Sequence, residues 1–350
     1  MVPALAVADA LRADGAAVSF LGTPDRVEAT LVPAAGYEID FLSVRGLDRR
    51  DPVKALGAVA RAAAAVPAAR RVLRRRGAAA MMGGGGYVAG PAGLAAVGLR
   101  IPLVLTEADS RLGLANRLLA GRARRVCLSF PIPGREGDRY VVTGRPVPDA
   151  VLNADRDAAR RRFGIAAGDR CLLVFGGSLG ARSINDAALA AFADGRTDRD
   201  FHVLHVTGSR DYPAARERLE GGNGARWYTL IEYQPTLADA LAACDLVLAR
   251  AGGSVFELAA AGRLAILVPY PHAAGGHQRD NARWMADAGA AVVLDDAELS
   301  PERIADTASE LLADPDRLAA MSRAASSLAR PDAARRVAAE ILAAAGTDRR

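Results

Sequence analysis

Short β-branched runs separated by longer alanine-rich amphipathic stretches recur along the whole chain, and this alternation restricts the fold more than any other feature. AAVSFLG (16–22), IPLVLTE (101–107), RYVVTG (139–144), CLLVFGG (171–177), FHVLHVTG (201–208), CDLVLAR (244–250), LAILVPY (264–270) and AAVVLDD (290–296) read as strands. Stretches such as 181–193, 237–243 and 254–261 carry their apolar residues at helical spacing. Apolar strands alternating with helices build parallel sheets covered on both faces. The predicted fold class is therefore α/β. A chain of 350 residues has room for two such units, since a compact domain runs to about 100–200 residues. The break is placed at TGRPVP (143–148), which puts a glycine and two prolines after a strand. Predicted domains are 1–145 and 146–330, with a C-terminal helix at 331–350 packing back on the first. The tail 301–345 reads as helical throughout, with PE at 301–302 and DPD at 314–316 as helix starts.

Bulk properties exclude several classes. A formal net charge of +5 is too small for a dedicated nucleic-acid binder, so no nucleic-acid partner is expected. Part of the excess is local: Arg70, Arg71, Arg74, Arg75 and Arg76. Such a patch suits an anionic membrane surface or phosphates, or a solvated helix end near a negative dipole. No uncharged apolar run of eighteen or more residues occurs, and 1–15 reads as an amphipathic helix rather than a signal peptide. Cys127, Cys171 and Cys244 form no CxxC pair or zinc spacing. Two of them lie in apolar runs as small buried thiols, which suits a reducing, cytosolic compartment.

Three glycine clusters follow strands. GGSLGA (176–181) sits between CLLVF and the helix at 182. A strand–glycine turn–helix unit lets backbone approach a ligand and aims free N–H groups at an anion, although a tight connection needs glycine too. RAGGSVFEL (250–258) repeats the arrangement. There Ser254 and Glu257 fit a capping box, and equally a carboxylate that bonds ribose hydroxyls beside a pyrophosphate. MMGGGGYVAGPAG (81–93) is the third. None is a Walker loop or a dinucleotide fingerprint, so no cofactor is expected. His202 and His205 lie in a strand-like run and read as structural, whereas His277 and Gln278 follow a loop and could line a site. The Asp-x-Asp triplets at 155–157, 198–200 and 314–316 lie at polar helix boundaries and read as structural, so no metal is expected.

Taken in order, these segments resemble the MurG family. LGTPDRVEATLVP (21–33) resembles its LGT-x-x-x-x-E-x-x-LVP segment, and GGYVAGP (85–91) its second glycine loop. GGSLGARSIN (176–185) resembles the GGSQGA-R-x-x-N loop. RAGGSVFELAAAGRLAILVPYPHA (250–273) with HQRDNA (277–282) resembles the donor-binding stretch. The likeness implies a GT-B fold, two Rossmann-like domains facing a cleft. It implies an inverting N-acetylglucosaminyltransferase with UDP-GlcNAc as donor and lipid I, the undecaprenyl-linked MurNAc-pentapeptide, as acceptor, giving lipid II for peptidoglycan. The donor would meet Ser178, Gly252, Gly253 and Ser254 at the pyrophosphate and Glu257 at the ribose. Gln278 and Asn281 would orient the sugar, Arg250 would support loop or phosphates, and uracil would lie near Glu232 and Tyr233. The acceptor would meet Gly83, Gly84, Gly85, Gly86, Tyr87 and Gly90, with the helix at 54–76, including Leu56, Val59 and Val66, resting on the inner face of the cytoplasmic membrane as a peripheral contact.

Three departures accompany the likeness. MVPALAVA at the start matches the segment just after the family's first strand and Gly-Gly-Thr-x-Gly-His loop, so those are expected upstream of Met1, with an internal start codon as the cause. The first sheet would then lack a central strand. The family's His-Glu-Gln-Asn reads Thr106, Glu107, Ala108, Asp109 here, which makes Glu107 the expected base with Asp109 behind it. The hinge Gly-Asn-Pro-Val-Arg reads GRPVP (144–148). The altered acceptor motif keeps open a GT-B transferase with another acceptor. A UDP-GlcNAc 2-epimerase and a non-catalytic UDP-GlcNAc binder are the remaining alternatives.

Overall fold

The computed structural model describes residues 1–44, 52–177, 180–193, 201–221, 226–234, 236–273 and 276–347. The chain divides into two compact units: Met1–Pro148 with Arg330–Arg350, and Asp149–Ala329.

The second unit is built on six parallel strands: β7 (Arg170–Phe175), β8 (Phe201–Val206), β9 (Tyr228–Ile231), β10 (Leu246–Ala249), β11 (Leu264–Leu267) and β12 (Ala291–Val293). Their order across the sheet is β12-β11-β10-β7-β8-β9. Residues 171–175 are buried without a break, as a central parallel strand covered on both faces requires. Leu172, Val174, Ile184, Phe192, Val203, Leu246 and Ile266 belong to one core beneath one face of this sheet. Burying a side chain of this size contributes about 1.5–3 kcal/mol.

The first unit holds β1 (Ser19–Gly22), β2 (Glu38–Phe41), β3 (Met81–Gly83), β4 (Leu103–Glu107), β5 (Arg125–Leu128) and β6 (Tyr140–Val142). Among the described residues they form two parallel sheets, β1-β2 and β3-β4-β5-β6. The helix Ala333–Thr347 packs on this unit: Val337, Ala338, Ile341 and Ala344 share a core with Val7 and Leu11 of the helix Val2–Ala13.

Strands β2, β3, β5 and β9 are absent from the sequence reading. β2 (EIDF) is half charged, and β3 (MMG) runs straight into a glycine cluster. Pairing with a neighbour makes them strands. The tail forms three helices, Pro301–Leu312 and Pro315–Ser327 at the two predicted starts, and Ala333–Thr347 after a break that the sequence reading lacks. Asp314 interrupts the tail by capping the second, accepting a bond from Arg317 N, and Pro315 removes a helical donor. Asp155 caps the helix Arg156–Phe163 in the same way. Asp198 and Asp200 lie outside the described residues.

All three cysteines are buried and unpaired by disulfides. Burial pushes the Cys127 thiol up to about 12 and Cys244 to about 11, so neither is a thiolate near neutral pH. The arginine run at the end of the helix Pro52–Arg75 is less bare than its sequence suggests. Asp40 accepts from Arg75 at 2.6 Å and from Arg76 Nε at 2.8 Å, and Glu38 pairs with Arg76 as well. Two of the five arginines are thus held by β2. The side chains of Leu56 and Val59 lie outside the described ones. Among the described residues no helix is long and apolar enough to cross a membrane.

Candidate active site

In the second sheet the chain runs outward from β7 through β8 to β9, then returns to place β10 on the other side of β7. Neighbouring strands whose connections diverge leave a crevice at their carboxyl ends, where parallel α/β sheets bind ligands. The two glycine turns flank this switch point. Phe175 is in register with Ala249, and Ala249 with Leu267, so three connections leave the sheet at one level.

The first turn, 176–181, leads into the eleven-residue helix Arg182–Phe192. Its N-cap is Ala181 and makes no side-chain cap bond, so the first amide groups remain available to an anion. A Cβ on Gly176 would lie 2.2 Å from Ala181 N, and one on Gly180 2.2 Å from Thr207 O. Ser178 lies outside the described residues. Behind the turn is a buried polar relay. Asn185 Nδ2 donates to Thr207 O and to Asp211 Oδ2, both at 3.0 Å. Its Oδ1 must therefore face a donor, His205 Nε2 at 3.0 Å, which leaves His205 Nδ1 to accept from the Tyr228 hydroxyl at 2.7 Å. His205 is fully buried, and desolvation pulls its pKa down to about 3. It holds the turn's underside as a neutral imidazole.

The second turn opens the helix Val255–Ala260. Ser254 is its N-cap but makes no side-chain cap bond, so the capping-box alternative is not what forms. Glu257 is half-buried one turn on. Asn281 Nδ2 donates to Ala251 O at 3.0 Å and Gly252 O at 3.4 Å, while its buried Oδ1 has no partner. Gln278 Oε1 accepts from Tyr270 N at 2.8 Å, and its Nε2 lies 4.0 Å from where a Gly252 Cβ would be. Both come from the helix His277–Asp287, which packs on this turn. Gly253 and Ser254 are half-buried, and Tyr233 is exposed after β9.

Arg250 is bonded to groups of its own unit. It is 9% exposed and donates to Val268 O at 3.2 Å and Ser183 Oγ at 2.7 Å. It also pairs with Asp296 at 2.6 Å. It ties β11, the start of the helix Arg182–Phe192 and the 3-10 turn Asp296–Glu298 together. Arg250→Ala is expected to cost about 2 kcal/mol, read as a lower Tm, with weaker donor binding because both turns lose a shared support.

On the first unit, the turn 84–86 follows β3 and the loop 108–113 follows β4, and Gly83 is in register with Leu105. Tyr87 is 48% exposed at this edge, and Gly90 is half-buried within the helix Gly86–Gly98. Glu107, at the end of β4, is 6% exposed and accepts four hydrogen bonds from its own loop and Asn116. Asp109 is half-buried two residues on, and no described group donates to its carboxylate. Sequence reasoning overlooked Asn116, Asn185, Asp211, Ser183 and Asp296. A signal existed for two: Asn116 interrupts the apolar segment LANRLL, and Asn185 closes the GGSLGARSIN block.

Two parallel α/β units, each with glycine turns on its carboxyl edge, define the GT-B class, the architecture shared by nucleotide-sugar transferases and UDP-sugar epimerases. The chain belongs to glycosyltransferase family 28 and, within it, to the MurG family. The family 28 C-terminal domain matches residues 171–337 and the N-terminal domain residues 1–128. A relative from Moorella thermoacetica is 41% identical over 95% of this chain and 92% of its own length. That protein is named UDP-N-acetylglucosamine–N-acetylmuramyl-(pentapeptide) pyrophosphoryl-undecaprenol N-acetylglucosamine transferase. The MurG of Acinetobacter baumannii superposes with a TM-score of 0.75 at 30% identity, covering 97% of this chain and 95% of that one. A UDP-N-acetylglucosamine 2-epimerase homologue from Listeria monocytogenes superposes at 0.71 but is only 16% identical over 99% and 93% of the two chains, a likeness of fold alone.

Proposed function

We propose that this chain transfers N-acetylglucosamine from UDP-GlcNAc to the C4 hydroxyl of the MurNAc unit of lipid I, making lipid II at the inner face of the cytoplasmic membrane. The observation that carries this reading is the pair of glycine turns at the switch point of the second sheet, in a chain 41% identical to a transferase named for that donor and acceptor. UDP lies along the carboxyl edge of β7 and β10, with the backbone of 176–181 and 251–254 around the diphosphate, Ser178 included. Glu257 bonds the ribose, uracil rests near Tyr233, and Gln278 and Asn281 orient the sugar.

The reaction is an in-line displacement with inversion. The acceptor oxygen bonds to C1 of GlcNAc as the C1–O bond to UDP breaks, and the hydroxyl proton passes to a base. The leaving diphosphate gains charge where the start of the helix Arg182–Phe192 offers unpaired N–H groups, so stabilisation grows along the reaction. Asp109 is the carboxylate of the acceptor loop with uncommitted oxygens and is the base in this reading. Exposed Leu94, and exposed Leu118 next to Arg117 in the chain, support a peripheral contact of the first unit with an anionic lipid surface.

The test is transfer of labelled GlcNAc from UDP-GlcNAc to a lipid I analogue. Formation of labelled lipid II is the expected result. Asp109→Asn is expected to lower kcat about 100-fold or more with UDP-GlcNAc affinity unchanged. Conversion of UDP-GlcNAc to its C2 epimer without acceptor would overturn the transferase reading, and binding without any turnover would leave a donor-binding protein.

A further inference from the structure

The carboxylate of Glu107 has no free acceptor position. Its Oε1 accepts from Ala108 N at 3.0 Å and Asp109 N at 3.2 Å. Its Oε2 accepts from Gly113 N at 2.8 Å and Asn116 Nδ2 at 2.9 Å. An ionised carboxyl group offers about four acceptor positions, and here fixed donors of the protein occupy them all. To take a proton from a substrate, Glu107 would have to release bonds that close its own loop.

Asn116 is 1% exposed and donates its second amide hydrogen to Thr106 O at 2.9 Å. With two acceptors on Nδ2 its orientation is fixed, and its Oδ1 is left buried without a partner. A buried acceptor without a donor is a penalty that an apolar residue at this place would avoid. The glycine turn lies against the same pair. A Cβ on Gly84 would be 3.6 Å from Thr106 Oγ1, and one on Gly85 4.0 Å from Asn116 Nδ2. The loop 108–113 and the turn 84–86 therefore share one support.

We infer that Glu107 and Asn116 form a clamp that positions the acceptor-side loop, and that Glu107 is a positioning residue rather than the base. The inference rests on the transferase reading for its kinetic consequences, but not for its structural ones. Glu107→Gln places an NH2 group against Gly113 N–H and the Asn116 amide, or against Ala108 and Asp109 N–H, so donors face donors in either orientation. Asn116→Asp faces one carboxylate with another. Combined, E107Q and N116D restore one donor–acceptor pair with the charge moved across it.

The experiment has two readouts. Amide hydrogen exchange is measured first on wild type and E107Q, with Tm recorded to exclude global unfolding. Slow exchange at Ala108, Asp109 and Gly113 in wild type, lost in E107Q while the strands β4 and β5 stay protected, is the expected result. Equally fast exchange of these amides in both proteins would overturn the clamp whatever the activity. Transfer kinetics then separate roles. The clamp predicts that each single variant raises KM for the lipid I analogue tenfold or more, leaves KM for UDP-GlcNAc unchanged and keeps the pH limbs in place. The double variant recovers at least fivefold in kcat/KM over E107Q. Loss of the acidic limb with kcat in E107Q, and no recovery in the double variant, would make Glu107 the base. If wild type transfers nothing, the function fails while the exchange result still decides the clamp.

Discussion

Gly180→Ala abolishes UDP-GlcNAc binding by the second unit, measured as at least a 100-fold weaker affinity by titration calorimetry. Gly180 has φ of +75°, and its added Cβ would lie 2.2 Å from Thr207 O and 3.4 Å from Asp211 Oδ2. Neither obstacle can swing aside. Thr207 O is backbone at the end of β8, held by Asn185 Nδ2, and Asp211 is fixed by Asn185 and Arg210. The turn must therefore move, and the N–H groups at the start of the helix Arg182–Phe192 move with it. Gly134 supplies the control. It has φ of +75° as well, but a Cβ there would meet nothing within 4 Å. Gly134→Ala is expected to cost about 1 kcal/mol from backbone conformation alone and to leave binding intact. Wild-type affinity in Gly180→Ala would mean that the 176–181 turn does not contact the donor.

The second large effect is acid destabilisation through His205. Its pKa falls from 6.5 to about 3 in the folded chain because burial removes water from the charged form. The unfolded chain binds a proton below pH 6.5, whereas the folded one does not until about pH 3. Stability from the neutral ring is thus complete above pH 6.5 and is lost as pH falls toward 3. The loss is about 2 kcal/mol by pH 5 and roughly 5 kcal/mol at most near pH 3. Tyr228 and Asn185 are the groups bonded to the ring, and neither carries charge at these pH values. His205→Gln lowers stability at pH 8 through poorer packing. It flattens the decline between pH 6.5 and 4.5, read as the difference in Tm across that window. An unchanged slope in the variant would show that other groups govern acid unfolding.

Both effects arise from residues whose meaning differed between sequence and structure. The glycines of 176–181 were legible as a ligand turn, because a strand, a glycine cluster and a helix stand in order. What makes Gly180 intolerant of any side chain is Thr207, 27 positions away and brought beside it by the pairing of β7 with β8. His205 was legible as structural, yet its tautomer needed the orientation of Asn185. The family likeness makes Arg250 a support for loop or phosphates and Glu107 the expected base. In the fold each is turned inward and committed to several protein groups, as a buried charge must be. No spacing rule contains that information, since it depends on how the loop after β4 closes and on which elements pack around Arg250.

The alternation of apolar runs and amphipathic stretches determined that this chain would form parallel sheets under helices, because residues buried on both faces of a strand leave no other arrangement. Glycine clusters after strands determined where backbone could meet an anion, and the local order of residues determined the helix starts at Asp155, Ser300 and Asp314. Only the tertiary structure decided which charged groups remained available. Desolvation and hydrogen bonding depend on how the chain folds back on itself: Asp40 reaches Arg76 and Asp296 reaches Arg250 from far along the sequence, and the loop after β4 closes on Glu107 through Gly113 and Asn116. A carboxylate's chemistry follows from how many donors already reach it, and that number exists only once the chain has folded around it.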